Sequence, residues 1–535
     1  MKEKQLGAML DCSRGAVMNL PSLKRLIDLI AKMGYTYLEL YTEDTYEIPE
    51  EPYFGYLRGR YTQAELREVD AYARERGVEL VPCIQTLAHL DAIMRWDAYR
   101  KVNDFANILL VDEEETYQLI DRMFASAAAS FTSRRIHIGM DEAHMVGLGK
   151  YLDKHGYQNR TDILLRHLAR VCEIADKYGF RPMMWSDMFF VLATGGGYHP
   201  DRVFSPAVLE RVPKNLDLVY WDYYRFDPAF YRGVIEIHQK FNNPVVFAGG
   251  LWTWRGFAPL SERALMVTDA AMSACRETGV KDILMTLWGD DGGECSYFTA
   301  LPMLFYAAKA VDGKPDRAAL AKEFKEITGE DFEDMMSIGK INRLEPRYNF
   351  SNPAKAWLYQ DPFLGMYDRT VTENAPAFYA ELAQDLRAAA ERSANCRDLY
   401  LMEADYAEAV AKKCDLGVKT RALYRAHDLA GLKALADTAY PAAVAAVERL
   451  HASVERVWFS DNKPEGYETH DIRLGGLVAR LTTCAGRLRR YAAGELAEIP
   501  ELEEEILPVS NAGDTYPDEQ IWARISFPYG RSGHI

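Results

Sequence analysis

From residue 6 to about residue 311, short apolar runs alternate with amphipathic helical stretches. Eight runs read as strands: "LGAMLD" (6–11), "YLELYT" (37–42), "ELVPCIQT" (79–86), "RIHIGMD" (135–141), "RPMMWSD" (181–187), "LDLVYWDYY" (216–224), "PVVFAGGLW" (244–252) and "DILMTLWGD" (282–290). Most are apolar at successive positions, which is how parallel strands buried on both faces read. Helical segments separate many of them, among them "PSLKRLIDLIAKMG", "TQAELREVDAYARERG", "TDILLRHLARVCEIADKYG" and "LSERALMVTDAAMSACRETG". These four end at Gly34, Gly77, Gly179 and Gly279, and glycine is the usual residue just past a helix C-terminus. Strand then helix, repeated about eight times, predicts a (β/α)8 TIM barrel over residues 1–311. A doubly wound open sheet competes with it, but no Gly-rich phosphate loop follows the first strand.

After residue 312 the strand pattern stops. Ala, Leu, Glu and Arg dominate, with helical periodicity in "AFYAELAQDLRAAAERSA", "AAVAAVERLHASVERVW" and "LGGLVARLTTCAGRLRRYAAGEL". Residues 312–535 are therefore expected to form an α-helical C-terminal domain, interrupted by the "NKPEGYE" loop with Pro464 and Gly466. Apolar helical faces beyond what one barrel contact buries predict a homodimer through this domain. Trp458 and Tyr467, flanking the Pro/Gly loop, are expected as an exposed rim.

Composition narrows the chemistry. The 535 residues suit a barrel plus a second unit, and 48% hydrophobic content supplies the core. A net charge of −16 argues against nucleic acid or an anionic membrane as partner and leaves a neutral small molecule as the simplest ligand. The eight cysteines show no CxxC spacing, and several lie in apolar runs where a thiol acts as a small hydrophobe. With no signal-like or membrane-length apolar run, a reducing, cytoplasmic setting is expected.

A barrel places its chemistry at the C-terminal ends of its strands. Those ends carry Asp11 and Arg14, Asp44, His89, Asp141 and Glu142, Trp185 and Asp187, Tyr220 and Asp222, Trp252 and Trp254, and Trp288 and Asp290. The adjacent acids in "RRIHIGMDEAH" admit three readings. They cap a helix or pair with arginine; they join His137 and His144 at a metal, though no H-x-H or H-E-x-x-H pattern supports this; or they serve glycoside hydrolysis. Aromatics at several strand ends suit the apolar face of a sugar ring. Ordinary retaining glycosidases hold two carboxyls about 5–5.5 Å apart, whereas neighbouring residues fit the substrate-assisted exception, in which a 2-acetamido oxygen attacks.

"HIGMDE" (137–142) resembles the H-x-G-G-D-E signature of glycoside hydrolase family 20, the exo-β-N-acetylhexosaminidases, with Met140 in place of the second Gly. "YTQAELREVDAYARERGVELVPCIQTLAH" (61–89) resembles the family's YT-x-x-E-I-R-E … PEID-x-PGH stretch, keeping His89 but departing at Cys83, Gln85, Leu87 and Ala88. "LDCSR" (10–14) and "ALPMLFYAAKA" (300–310) resemble its first strand end and last barrel helix. The chain is most similar to the branch without the small α+β domain before the barrel.

The resemblance implies roles. Glu142 is the general acid/base and Asp141 orients the acetamido group as an oxazoline closes, a retaining route that needs no metal and no cofactor. Arg14 binds ring hydroxyls, and His89 forms an outer link to an acid after the second strand, Asp44 or Glu43. Trp185, Trp252, Trp254 and Trp288 wall the pocket. Trp288 and Asp290 resemble the family's W-x-E, which gives Asp290 a hydroxyl-binding role with Glu294 as the alternative. Tyr220 and Asp222 resemble its Y-x-D, with Tyr224 on the same face and Tyr223 or Tyr224 substituting if the register slips. The implied substrate is a terminal β-linked N-acetylhexosaminide. A β-glycosidase of sugars lacking the acetamido group and a non-catalytic carbohydrate-binding barrel are the competing functions.

Overall fold

All eight expected strands form, and their ends meet. The computed structural model describes residues 4–344, 351–510 and 518–528. Its strands are β1 (Gln5–Asp11), β2 (Tyr37–Tyr41), β3 (Glu79–Cys83), β4 (Asn103–Phe105), β5 (Ile108–Leu109), β6 (Arg135–His137), β7 (Arg181–Trp185), β8 (Asp217–Trp221), β9 (Val245–Gly250) and β10 (Asp282–Leu287). β4 and β5 form a small antiparallel hairpin in the loop after β3. The other eight close into a parallel barrel in the order β1-β10-β9-β8-β7-β6-β3-β2.

Local signals start and stop the outer helices as the sequence implies. Asn19 accepts from Ser22 N at the start of Leu20–Met33, and Gly34 ends it at φ 93°, where a Cβ would be strained. A capping box between Thr62 and Glu65 opens Gln63–Arg74. Inside the barrel, side chains two or four residues apart share a face: Tyr37 and Tyr41, Val81 and Cys83, Met183 and Trp185, and Val246 and Ala248. Val219 joins this packed interior, with Trp221 partly buried against it. β8 therefore turns its odd-numbered residues inward.

Two compact units divide the chain. One holds Met1–Leu251, Ala264–Trp288 and Met303–Asp316; the other holds Trp252–Arg263, Gly289–Pro302 and Arg317–Ile535. The division differs from a single cut at 311/312, because the segments that follow β9 and β10 cluster with the helical unit.

In the helical unit, Ala375–Arg392 packs on Arg397–Lys413, which packs on Ala439–Asp461, which packs on Glu468–Ala492. Lys355 Nζ lies 2.7 Å from both Asp291 and Glu294, and Arg473 lies 2.9 Å and 2.8 Å from the same two acids. Burial raises the Glu294 carboxyl, but the Lys355 and Arg473 charges outweigh that and hold it below its ordinary value. Glu294 is thus held as an anion in a buried ion-pair network within this unit. Trp458 and Tyr467 correct a second expectation. Both are buried, packed on His470 and on each other, with Trp458 Nε1 donating to the Lys463 carbonyl at 3.0 Å. They hold helices together and form no rim. No helix among the described residues is long and apolar enough to cross a membrane.

Candidate active site

The chemistry gathers just past the last ladder residues of β1, β2, β3, β6, β7 and β8. Several of these positions take left-handed backbone without glycine: Glu43 (φ 47°), His89 (φ 56°), Met140 (φ 72°) and Glu142 (φ 51°). Such conformations cost energy outside glycine and persist where surrounding structure enforces them. Met140 occupies the place where the resembled signature has its second Gly, and its conformation is one that glycine takes without strain.

Asp141 is buried and gripped from two sides. Gln85 Nε2 donates to Asp141 Oδ1 at 2.7 Å, and His89 Nε2 stands 3.2 Å from Oδ2. Gln85 is fixed in turn, since its Oε1 accepts from Met140 N at 3.1 Å and its Nε2 reaches the Tyr41 hydroxyl at 2.9 Å. Burial pushes the Asp141 carboxyl up, but the His89 charge, with hydrogen bonds from His89 and Gln85, carries it below its ordinary value. Asp141 is an anion held in one orientation.

Glu142 has the opposite surroundings. Its side chain is 50% exposed, with one oxygen 3.5 Å from His89 Nε2. Its backbone N–H donates to Asp187 Oδ2 at 3.0 Å, and Asp187 Oδ1 accepts from Trp221 Nε1 at 3.4 Å. Burial first, and then the neighbouring Asp141 charge, push Asp187 up to about 7.

His89 links the acids. Its Nδ1 lies 3.9 Å from Glu43 Oε1, and Glu43 also meets Arg14 Nη1 at 2.8 Å and the Tyr41 hydroxyl at 3.0 Å. The acid behind His89 is therefore Glu43. Asp44 pairs instead with Arg58 at 3.4 Å, so the choice of Asp44 is corrected. Burial opposes a charged imidazole, but Asp141 and Glu43 raise His89 to about 9. The unfolded value is 6.5. Stability from this charge is complete below pH 6.5 and is lost as pH rises through about 9. The melting temperature is expected to fall across that window in the native chain and to stay nearly level in His89→Gln; parallel profiles would refute the linkage.

Two of the four tryptophans expected as a wall, Trp185 and Trp288, pack against each other at the barrel interior. Trp185 is buried, 4.3 Å from the His137 ring and 6.1 Å from Trp288. Trp288 meets Tyr41 edge-on at 4.8 Å and donates from Nε1 to the Tyr223 hydroxyl at 3.0 Å. Tyr223 stacks on Trp221 at 5.5 Å. Trp221 and Tyr223 thus stand where Tyr220, Asp222 and Tyr224 were expected. Tyr220 turns outward, stacked on His238 of the helix Pro228–Gln239. Asp222 accepts from Tyr220 and from Tyr224 N, and Tyr224 is 46% exposed. A one-residue shift of face exchanges every side chain of a strand.

Trp252, Trp254 and Asp290 belong to the second unit. The two indoles are buried and stacked at 4.6 Å, with the Arg263 guanidinium 3.8 Å from the Trp252 ring centre.

Glu39, Cys83 and His137 bring three ligand types within 4.8 Å of one another in the barrel interior. His137 Nδ1 accepts from Gly139 N at 3.1 Å, which puts the proton of the neutral ring on Nε2. Burial holds His137 down at about 3 and drives Glu39 up to about 8, leaving a neutral imidazole beside a neutral acid.

Residues 6–194 match the catalytic-domain model of glycosyl hydrolase family 20, and residues 330–521 match the Glycoside Hydrolase 20C C-terminal domain. The chain belongs to glycoside hydrolase family 20. Among family-20 relatives, it is 25% identical over 224 residues to hexosaminidase D of Bos taurus, covering 39% of this chain and 60% of that protein. It is 31% identical over 250 residues to a beta-hexosaminidase of Vibrio furnissii, covering 38% of this chain and 39% of that protein. Both matches thus span less than two thirds of the relative's own length. A solved chitobiase from Flavobacterium johnsoniae is 16% identical, covering 94% of this chain and 74% of that one, with a TM-score of 0.47. The family-20 catalytic match stops at residue 194, short of β8 to β10, where the register and wall assignments needed correction.

Proposed function

We propose that this chain is an exo-acting β-N-acetylhexosaminidase that releases terminal β-linked N-acetylglucosamine or N-acetylgalactosamine with retention, by substrate assistance. One observation carries the reading: neighbouring carboxylates have opposite environments, Asp141 buried and doubly gripped, Glu142 half exposed.

A nucleophilic carboxylate needs a free oxygen aimed at carbon, and both Asp141 oxygens already face a donor. Its fixed charge is suited to orienting the acetamido N–H and stabilising positive charge on that nitrogen as the acetamido oxygen closes on the anomeric carbon. Glu142 donates its proton to the departing glycosidic oxygen, then takes one from the water that opens the oxazoline. Holding the nucleophile within the substrate supplies the high effective concentration of an intramolecular reaction. Arg14, set by Glu43, binds ring hydroxyls, while Trp185, Trp221, Tyr223 and Trp288 wall the acetamido group.

A p-nitrophenyl panel tests this. The N-acetyl-β-glucosaminide and N-acetyl-β-galactosaminide should be turned over, and the β-glucoside barely. Equal rates on glucoside and N-acetylglucosaminide would overturn the acetamido role. Hydrolysis abolished by a chelator would reopen a metal mechanism.

The chain is further proposed to work in the cytoplasm as a homodimer through the helical unit. Eight free, buried cysteines suit a reducing compartment, and exposed Phe459 and Ile472 on that unit suit an interface. A monomer by light scattering at micromolar concentration would end the dimer proposal, and export of the tagged native chain from its cell would end the cytoplasmic one.

A further inference from the structure

On the strand-end side of the barrel, beyond the residues already described, three aromatic side chains form a mutually contacting group. Tyr53 and Tyr56 lie in the loop after β2, and Trp96 in the loop after β3. Ring centres are 5.4 Å apart for Tyr53 and Trp96, 5.5 Å for Tyr56 and Trp96, and 6.1 Å for Tyr53 and Tyr56. Tyr53 and Tyr56 are 44% and 45% exposed, and Trp96 is half-buried. Scattered exposed hydrophobics need no explanation, but contiguous aromatic surface marks a place that binds something.

The loop beneath is firmly built. Phe54, next to Tyr53, is buried and meets Tyr46 edge-on at 5.0 Å. Tyr46 in turn bridges Tyr61. The exposed rings are therefore held up by packed neighbours.

Two connections join this group to the candidate active site. Arg58, two residues after Tyr56, donates to the Ser13 carbonyl and contacts Asp44 at 3.4 Å. Ser13 and Asp44 are the chain neighbours of Arg14 and Glu43. On the other loop, the short helix Asp91–Met94 stands between His89 and Trp96, and four helical residues advance only about 6 Å. The rings share their loops with Glu43 and His89, the groups that meet Asp141 and Glu142.

We propose that Tyr53, Tyr56 and Trp96 form a stacking platform for the sugars that follow the terminal residue of an oligosaccharide. The proposal rests on the function proposed above and specifies its substrate class: β-linked oligosaccharides of N-acetylhexosamine at least three sugars long, rather than small aryl glycosides. The occupant follows from continuity, since a chain whose end is held at Glu142 must leave past the neighbouring loops. Pyranose rings present apolar C–H faces that cover aromatic surface, and the Arg95 guanidinium, 5.2 Å from the Trp96 ring centre, offers donors for hydroxyls beside it.

Tyr53→Ala, Tyr56→Ala, Trp96→Ala and the triple variant test the platform with triacetylchitotriose and p-nitrophenyl N-acetyl-β-glucosaminide. KM for the trisaccharide should rise about tenfold in the triple variant, a 1.4 kcal/mol loss, while KM and kcat for the aryl glycoside stay within about twofold. Calorimetry of the trisaccharide on the same variants in a Glu142→Gln background should show the same weakening without turnover. Trp96→Phe should keep most of the affinity. An unchanged trisaccharide KM and affinity would overturn the platform, as would equal losses on both substrates, which would make these residues supports of the pocket. A native chain that leaves the aryl N-acetylglucosaminide intact would instead refute the proposed function, while the calorimetric comparison would still judge the platform.

Discussion

Glu142→Gln is expected to slow hydrolysis of a disaccharide by about 10²–10⁴-fold, the usual contribution of a positioned proton donor, while an activated aryl glycoside loses far less. A dinitrophenolate leaves without a proton, whereas a sugar hydroxyl needs one. The substitution isolates that difference because the residue's place in the fold is set by its backbone: the amide of residue 142 is anchored on Asp187 at 3.0 Å whatever the side chain carries. The side chain is half exposed, so the neutral amide creates no buried vacancy. Stopped-flow and steady-state rates on the two substrates decide it. Equal losses on both would take Glu142 out of the acid role.

Asp141→Ala should cost about 10²–10³-fold in kcat on N-acetyl substrates, the scale of losing one preorganised electrostatic contact to a developing charge. It should also weaken binding of a thiazoline analogue of the intermediate. Removing this carboxylate leaves Gln85 Nε2 with one of its two acceptors, the Tyr41 hydroxyl, and takes from His89 the anion that most raises its pKa. Some of the loss will therefore be structural, at roughly 1–3 kcal/mol for a buried donor left unmet. Asp141→Asn separates the two effects. It fills the same space and still offers an oxygen to Gln85, but lacks the charge. If the Asp141→Asn variant bound the thiazoline as tightly as the native chain, Asp141 would not act through its charge.

Much of this architecture was legible from hydrophobic pattern and glycine placement. Eight apolar runs, each spaced by a helix or a long loop, are enough to imply the barrel, because parallel strands must be covered on both faces. The same property hid the register of β8. Val219, Tyr220 and Trp221 are all apolar or aromatic, one face lining the barrel and the other packing on a helix, so alternation carried no sign of which was which. The site was readable where chemistry is concentrated in sequence, at Asp141 and Glu142. It was less readable where contacts come from neighbouring strands. Gln85 was visible only as a departure from a pattern; its role appears once β3 and β6 are paired. Glu43 and Asp44 are adjacent, and only the left-handed backbone at Glu43 sends one toward His89 and the other toward Arg58. Asp187 lay among the strand-end acids, but no spacing rule ties it to the amide of residue 142.

The left-handed backbone at Glu43, His89, Met140 and Glu142 bears on how this enzyme responds to selection. Glycine would take each conformation at lower cost, but replacing Glu43 or His89 would leave charged partners unpaired and replacing the buried Met140 would leave a cavity, each costing more than the backbone gains. A screen for heat resistance alone should therefore favour glycine at Glu142, whose side chain is half exposed. The gain in melting temperature there would come with the loss of the proposed acid. Directed evolution for ruggedness would thus tend to erase that residue, unless turnover of an oligosaccharide is scored in every round.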